Sequence, residues 1–355
     1  MTSDDEGDGG VKPAVTARNE RLVESLLAGE HRALARVITR IENRAPGCRD
    51  LVSRLYEHSG TATVLGITGS PGAGKSTLVD KLAAAYRDRG DTVGVIAVDP
   101  SSPYSGGAVL GDRIRMASTV GDMDVFVRSM STRGQLGGLS TATADAITAL
   151  DAFGKDVVIV ETVGAGQSEV DIVRTADTVA VLVQPGSGDD VQMLKAGILE
   201  IGDVFVVNKA DTEGVDRTVA ELREMIERRA ESPRQHGNTR SAADEPWQPP
   251  VVETVATSGT GIDELLDALD EHAAYLDRTD AGDRRAVDRI ADEIRQLVRS
   301  DANELLAAEI DRSGGIESLA RRVRDRETDP YTVADEIVEP LRECLDSLQN
   351  EPPNE

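Results

Sequence analysis

Short runs of apolar, β-favouring residues punctuate the middle of the chain: Val64 to Thr68, Val93 to Val98, Val125 to Arg128, Val157 to Val160, Thr178 to Val183, Val204 to Val207 and Val251 to Val255. They are apolar at successive positions and separated by helix-length segments. This predicts an α/β fold with a mostly parallel, doubly wound sheet covered on both faces. In such sheets ligands gather beyond the carboxyl ends of the strands. Ahead of the first run, Leu22, Val23, Leu26 and Leu27, then Leu34, Val37, Ile38 and Ile41, repeat at three and four with a break near Gly29. That spacing predicts a helical hairpin. After Gly261 no strand-like run returns, and helical segments continue to about Leu348.

The expected organisation is an acidic, disordered leader over 1–15, an N-terminal helical extension over 16–60, the α/β domain over 61–276 and a C-terminal helical tail over 277–355. In the tail, Val287, Ile290, Ile294 and Leu297 form an apolar stripe that either packs on its own domain or serves as a dimerisation arm. Glu231 to Pro250 is polar and reads as a mobile surface insertion before the last strand.

The charge is lopsided, with 64 Asp and Glu against 39 Lys and Arg, a net charge of -25 and only six lysines. Such a field disfavours electrostatic binding to nucleic acid or anionic membrane. Acids spread along the whole chain suit a halophilic cell, where molar salt shortens the Debye length to about 3 Å; an ordinary, mildly acidic protein is the plainer reading. No apolar run approaches the roughly 20 residues of a membrane-spanning helix, and Met1 to Gly10 has no signal-peptide character, so a cytoplasmic location is expected. Cys48 and Cys344 lie too far apart in sequence to form a disulfide framework.

Gly69-Ser70-Pro71-Gly72-Ala73-Gly74-Lys75-Ser76, followed by Thr77, fits G-x-x-x-x-G-K-[ST] directly after an apolar run and before a helical one. Backbone N–H groups of such a loop surround a β-phosphate, Lys75 reaches the β and γ oxygens, and Ser76 holds Mg2+. Asn208-Lys209-Ala210-Asp211 fits N-K-x-D after a later strand. An Asp here accepts from both N1–H and the exocyclic amine of guanine, a pairing that adenine cannot supply. Val255-Ala256-Thr257 follows the last strand, and the Ala256 N–H is the expected donor to guanine O6. Acids at strand ends, Asp99 and Glu161, together with Asp112, are candidate magnesium partners, for which one hydroxyl and one or two carboxylates suffice. Asp112 is equally readable as a helix N-terminal acid. Glycine-rich segments around the site, Ser105 to Gly111, Gly134 to Gly138, Gly164 to Gln167 and Pro185 to Asp190, suggest moving parts. Gly164 can place its N–H on the γ-phosphate and register its loss. Because Ala165 follows Gly164, no glutamine stands where a small signalling GTPase positions its water, and intrinsic turnover should be slow.

Together these segments resemble the MeaB/ArgK-type (MMAA-type) P-loop GTPases. The resemblance rests on Gly69 to Thr77, Val98 to Pro103, Gly107 to Met116, Val160 to Glu169, Pro185 to Asp190 and Asn208 to Asp211, and covers roughly residues 20 to 275. It implies a GTPase that binds GTP, GDP and Mg2+ and chaperones a cobalamin-dependent acyl-CoA mutase, usually methylmalonyl-CoA mutase. It also implies a homodimer through the C-terminal helices. By position, Ser76, Asp99, Asp112 and Glu161 match the family's magnesium set, Asp189 and Lys195 its third switch, and Gln167 lies in the shared E-T-V-G-x-G-Q-S-E segment.

Three other readings compete. An ATPase or kinase of lysine, arginine and ornithine transport is opposed by Asn208 to Asp211. A nickel metallochaperone needs clustered ligands, whereas His31, His58, His236 and His272 are dispersed. A protein-targeting GTPase wants a methionine-rich segment, and six methionines are spread along the chain.

Overall fold

The computed structural model describes residues 13–100, 118, 121–132, 141–162, 172–186, 199–231 and 246–350. Seven parallel strands form one sheet: β1 (Thr63–Gly69), β2 (Val93–Pro100), β3 (Val125–Thr132), β4 (Val157–Thr162), β5 (Thr178–Val183), β6 (Val204–Asn208) and β7 (Val251–Thr254). Their order is β3-β2-β4-β1-β5-β6-β7, and every pairing is parallel, so the expected mostly parallel sheet is parallel throughout. All six residues of β5 and all five of β6 are buried, as strands covered on both faces require.

Side chains alternate between two cores. One packs Val158, Val160, Val181 and Phe205 under the helices of the N-terminal region, α5 (Thr141–Ala152) and α6 (Val215–Glu231). The other packs Leu65, Ile67, Ile159 and Val206 under α4 (Lys75–Asp88) and α7 (Ile262–Arg278). Burying one such side chain fully contributes about 1.5–3 kcal/mol.

The N-terminal region holds three helices, α1 (Pro13–Leu27), α2 (His31–Glu42) and α3 (Cys48–Tyr56), not the two of the expected hairpin. In α2, Ala33, Leu34, Val37, Ile38 and Ile41 form the buried face. The short α3 is held to α1 by Asn19, whose Nδ2 donates to Gly47 O and Asp50 Oδ2, both at 2.8 Å.

At the amino ends of β5 and β6 lies a polar cluster around the buried Asp203. Arg285, on the first turns of α8 (Asp280–Arg312), forks onto Asp203 at 2.6 and 2.9 Å and also donates to Asp177 O at 2.6 Å. Arg289 pairs with the Asp177 carboxylate. Both acids also accept backbone N–H groups, Asp203 from Val179 and Asp177 from Val64. Trp247 donates its indole N–H to Asp203 O at 2.8 Å and packs against His272 and Tyr275. The end of the polar 231–250 stretch is therefore anchored; residues 232–245, like the leader before Pro13, lie outside the described residues.

The chain divides into two compact units, one up to Arg289 and one from Ile290. In the second, Leu319, Val333 and Ile337 form a small core between α9 (Ile316–Arg324) and α10 (Pro330–Asn350). No residue of α8 is buried, and of the apolar stripe Val287, Ile290 and Ile294 are exposed.

Candidate functional site

The candidate site sits at the carboxyl ends of β1, β4, β6 and β7. β1 ends at Gly69 and α4 starts at Lys75, so the intervening loop wraps the amino end of a 14-residue helix. That helix end offers backbone N–H groups and the positive pole of its dipole to an anion. Two glycines make the loop geometrically possible. Gly69 has φ 137°, and a Cβ there would stand 2.1 Å from Leu182 O; Gly74 has φ 95°, and its Cβ would stand 2.4 Å from Asn208 Nδ2.

The second contact links the phosphate loop to the base loop. Asn208 Nδ2 donates to Ala73 O at 2.7 Å, while Asn208 Oδ1 accepts from Thr254 Oγ1 and from Ala256 N–H, both at 3.1 Å. One buried amide thus ties together three chain segments, and with all its partners in place it specifies a single arrangement. Ala210 N–H donates to Thr254 O at 3.0 Å, and Val255 N–H donates to Thr260 O at 2.9 Å, closing the turn that carries Ala256 and Thr257. Here the structure differs from expectation: the Ala256 N–H, expected for guanine O6, is directed at Asn208. Lys209 is held at φ 61°, with Nζ donating to Gln184 Oε1 at 3.0 Å, and Asp211 is exposed on the same turn.

On the phosphate side, Lys75 is buried and its Nζ donates to Gly69 O at 2.6 Å and Ser70 O at 2.9 Å. The Ser70 hydroxyl is buried and lacks a partner among the described residues. Pro71 and Gly72 form the exposed crest of the loop, and Thr77 is the third residue of α4. Ser76 Oγ donates to Glu161 Oε1 at 2.6 Å, which brings the two expected magnesium partners of α4 and β4 into contact. A hydroxyl beside a carboxylate is an oxygen-only donor pair suited to Mg2+, which usually keeps several waters and takes few protein ligands. Mg2+ would supply charge neutralisation between phosphate oxygens there. Among the described residues no group of three or more His, Cys, Asp or Glu is gathered. Asp99 occupies the end of β2, whose neighbour β4 carries Glu161. Asp112, Gly164, Gln167, Asp189 and Lys195 lie outside the described residues, as do most of the glycine-rich segments.

Two contributors escaped sequence reading: Thr254 is visible there only as part of a strand and Gln184 only as the residue after one. Ala73 belongs to the expected phosphate loop, but its carbonyl bond to Asn208 is one that no side-chain pattern reveals. Cys48 is free, and burial pushes its thiol up to about 11, away from reactivity.

A phosphate loop bonded through an Asn to an Asn-Lys-Ala-Asp turn, on an all-parallel sheet, defines a P-loop GTPase. Residues 34–311 match the family described as methylmalonyl Co-A mutase-associated GTPase MeaB, and the chain belongs to that family. A GTPase-named relative from Pyrococcus abyssi is 49% identical over 322 residues, covering 91% of this chain and 96% of its own. GTPase ArgK of Escherichia coli is 39% identical over 251 residues, 70% of this chain and 73% of its own. Among solved structures, one described as an LAO/AO transport system kinase superposes with a TM-score of 0.65 at 24% identity, covering 94% of this chain and 100% of the other; the likeness is one of fold.

Proposed function

We propose that this GTPase is a chaperone of a cobalamin-dependent acyl-CoA mutase, methylmalonyl-CoA mutase first among them, and that its nucleotide state gates cofactor loading and protection or reactivation of the mutase. The observation that carries this reading is the family match over residues 34–311, whose description joins GTPase and mutase. The residue roles follow the site. Gly69 to Thr77 hold the phosphates, with Lys75 on the β and γ oxygens; Asn208, Lys209 and Asp211, with the Val255 to Thr257 turn, hold guanine. Ser76 and Glu161, joined at 2.6 Å, bind Mg2+ together with Asp99 and Asp112. Gly164 senses the γ-phosphate, and the switch residues Gln167, Asp189 and Lys195 transmit nucleotide state to the mutase. The exposed stripe Val287, Ile290 and Ile294 forms the homodimer contact, and the acidic surplus fits a cytoplasm rich in salt. Domain roles divide as extension 16–60, GTPase domain 61–276 and tail 277–355.

Steady-state GTP hydrolysis in molar KCl, with and without the mutase of the same organism, tests the proposal. Stimulation that Asp189→Ala or Lys195→Ala reduces is the expected result. No stimulation, and no complex by size exclusion under any nucleotide, overturns the mutase assignment. ADP binding as tight as GDP binding would instead restore the transport-kinase reading.

A further inference from the structure

We propose that a cavity between α1 and α2 is a second ligand site, which takes a small polyanion carrying two or more phosphate or carboxylate groups. The cavity has a volume of about 950 Å³, within the range of small-molecule sites. Arg18 and Arg21 line it from α1, and Arg32, Arg36 and Arg40 from α2. Glu30 is the sole acid on its wall.

This wall contrasts with the rest of the chain. Acids outnumber bases 64 to 39, and elsewhere arginines find carboxylates readily: Arg54 pairs with Asp50, Arg87 with Asp122, Arg128 with Glu42, Arg285 with Asp203. Among the described residues Arg18, Arg21, Arg32 and Arg36 have neither an ion pair nor a hydrogen bond. Arg40 is pinned by donating to Pro46 O at 2.7 Å, and its buried Nε has no partner among the described residues. Arg18, Arg21, Arg32 and Arg36 are exposed along the cavity, where a bound anion would offset charges that water and salt otherwise screen. Each offers the forked donors that fit carboxylate or phosphate bidentately. Leu22 and Ala33 on the wall leave room for an uncharged portion between the anionic groups. None of the lining residues belongs to the phosphate or base loop, so the site is separate from the nucleotide.

Calorimetric titration of the full chain, saturated with GDP so that the phosphate loop is filled, tests this with two probes, inorganic pyrophosphate and citrate. The titration uses the lowest KCl concentration at which circular dichroism shows the chain folded, since salt screens the arginines. One saturable site is expected for at least one probe. It should weaken at least tenfold in Arg32→Gln/Arg36→Gln and also in Arg18→Gln/Arg21→Gln, with GDP affinity unchanged in both. Preference for pyrophosphate or for citrate tells which anionic group the site reads. Absence of saturable binding by both probes, or binding that either double variant leaves intact, overturns the proposal. So does binding of an oligoglutamate peptide alone, which would assign the arginines to an acidic segment of a protein partner.

Discussion

The sheet carries polar machinery at both ends of its strands, and the two ends are built differently. At their amino ends, Asp203 and Asp177 are saturated: each takes backbone N–H groups and an arginine from α8. At the carboxyl end, the Ser70 hydroxyl is buried without a partner among the described residues, and Lys75 turns its ammonium onto carbonyls of its own loop. A buried hydroxyl left without a partner costs free energy, and Ser70 stands in the loop where a bound phosphate would complete it. The amino end is a fastening, whereas the carboxyl end is a receptor.

The largest expected effect breaks the receptor alone. Lys75→Ala should lower GTP turnover by about 10²–10³-fold or more, by removing charge that faces the β and γ oxygens, while the melting temperature stays near that of the parent. An unchanged rate would show that the phosphate loop is misassigned. Asp211→Asn comes next: GDP binding should weaken on the order of 100-fold, and xanthine nucleotides should gain, because an amide no longer offers two acceptors. Equal GDP affinity would place the base elsewhere.

The fastening is probed from the other side. Arg285→Ala leaves the buried Asp203 carboxylate short of its forked partner and should destabilise the fold by roughly 1–3 kcal/mol, seen as a fall of several degrees in melting temperature with GDP affinity intact. Loss of GDP binding at full stability would erase the contrast between the two ends. An effect seen only as pH falls concerns His272, at whose Nδ1 the Thr178 hydroxyl stands 2.8 Å away. Burial, partly offset by Asp203, pushes this imidazole down to about 4 from 6.5. Between those values the unfolded chain binds the proton and the folded one does not. Stability is therefore full above about pH 6.5 and declines as pH falls toward 4, by on the order of 3 kcal/mol in all. Melting curves between pH 7 and pH 5 should show this decline, and His272→Gln should flatten it.

Much of the receptor was legible in the sequence because its chemistry is local. The phosphate loop lies within eight consecutive residues, the base loop within four, and each sits where an apolar run ends. The sheet was legible because both-face burial leaves unbroken apolar runs such as Thr178 to Val183. The fastening was not. Arg285 lies 82 residues from Asp203, and on an exposed helix it is one arginine among several. The helix α3 escaped because its nine residues bury only Leu51 and Leu55, too few to show a period. The Asn208 bond to Ala73 spans 135 residues and ends on a carbonyl, which any residue type supplies.

That span also bears on how the protein comes into being. β1 pairs with β4 and β5, so its edges stay unsatisfied until Val183 has been synthesised. The Asn208 amide waits longer, for Thr254 and Ala256. At roughly 5–20 residues per second on a ribosome, the first strand is made many seconds before its guanine loop can close. A nascent chain shorter than about 257 residues should therefore neither bind GDP nor be protected by it, so nucleotide enters as one of the last ligands of folding rather than as a template for it.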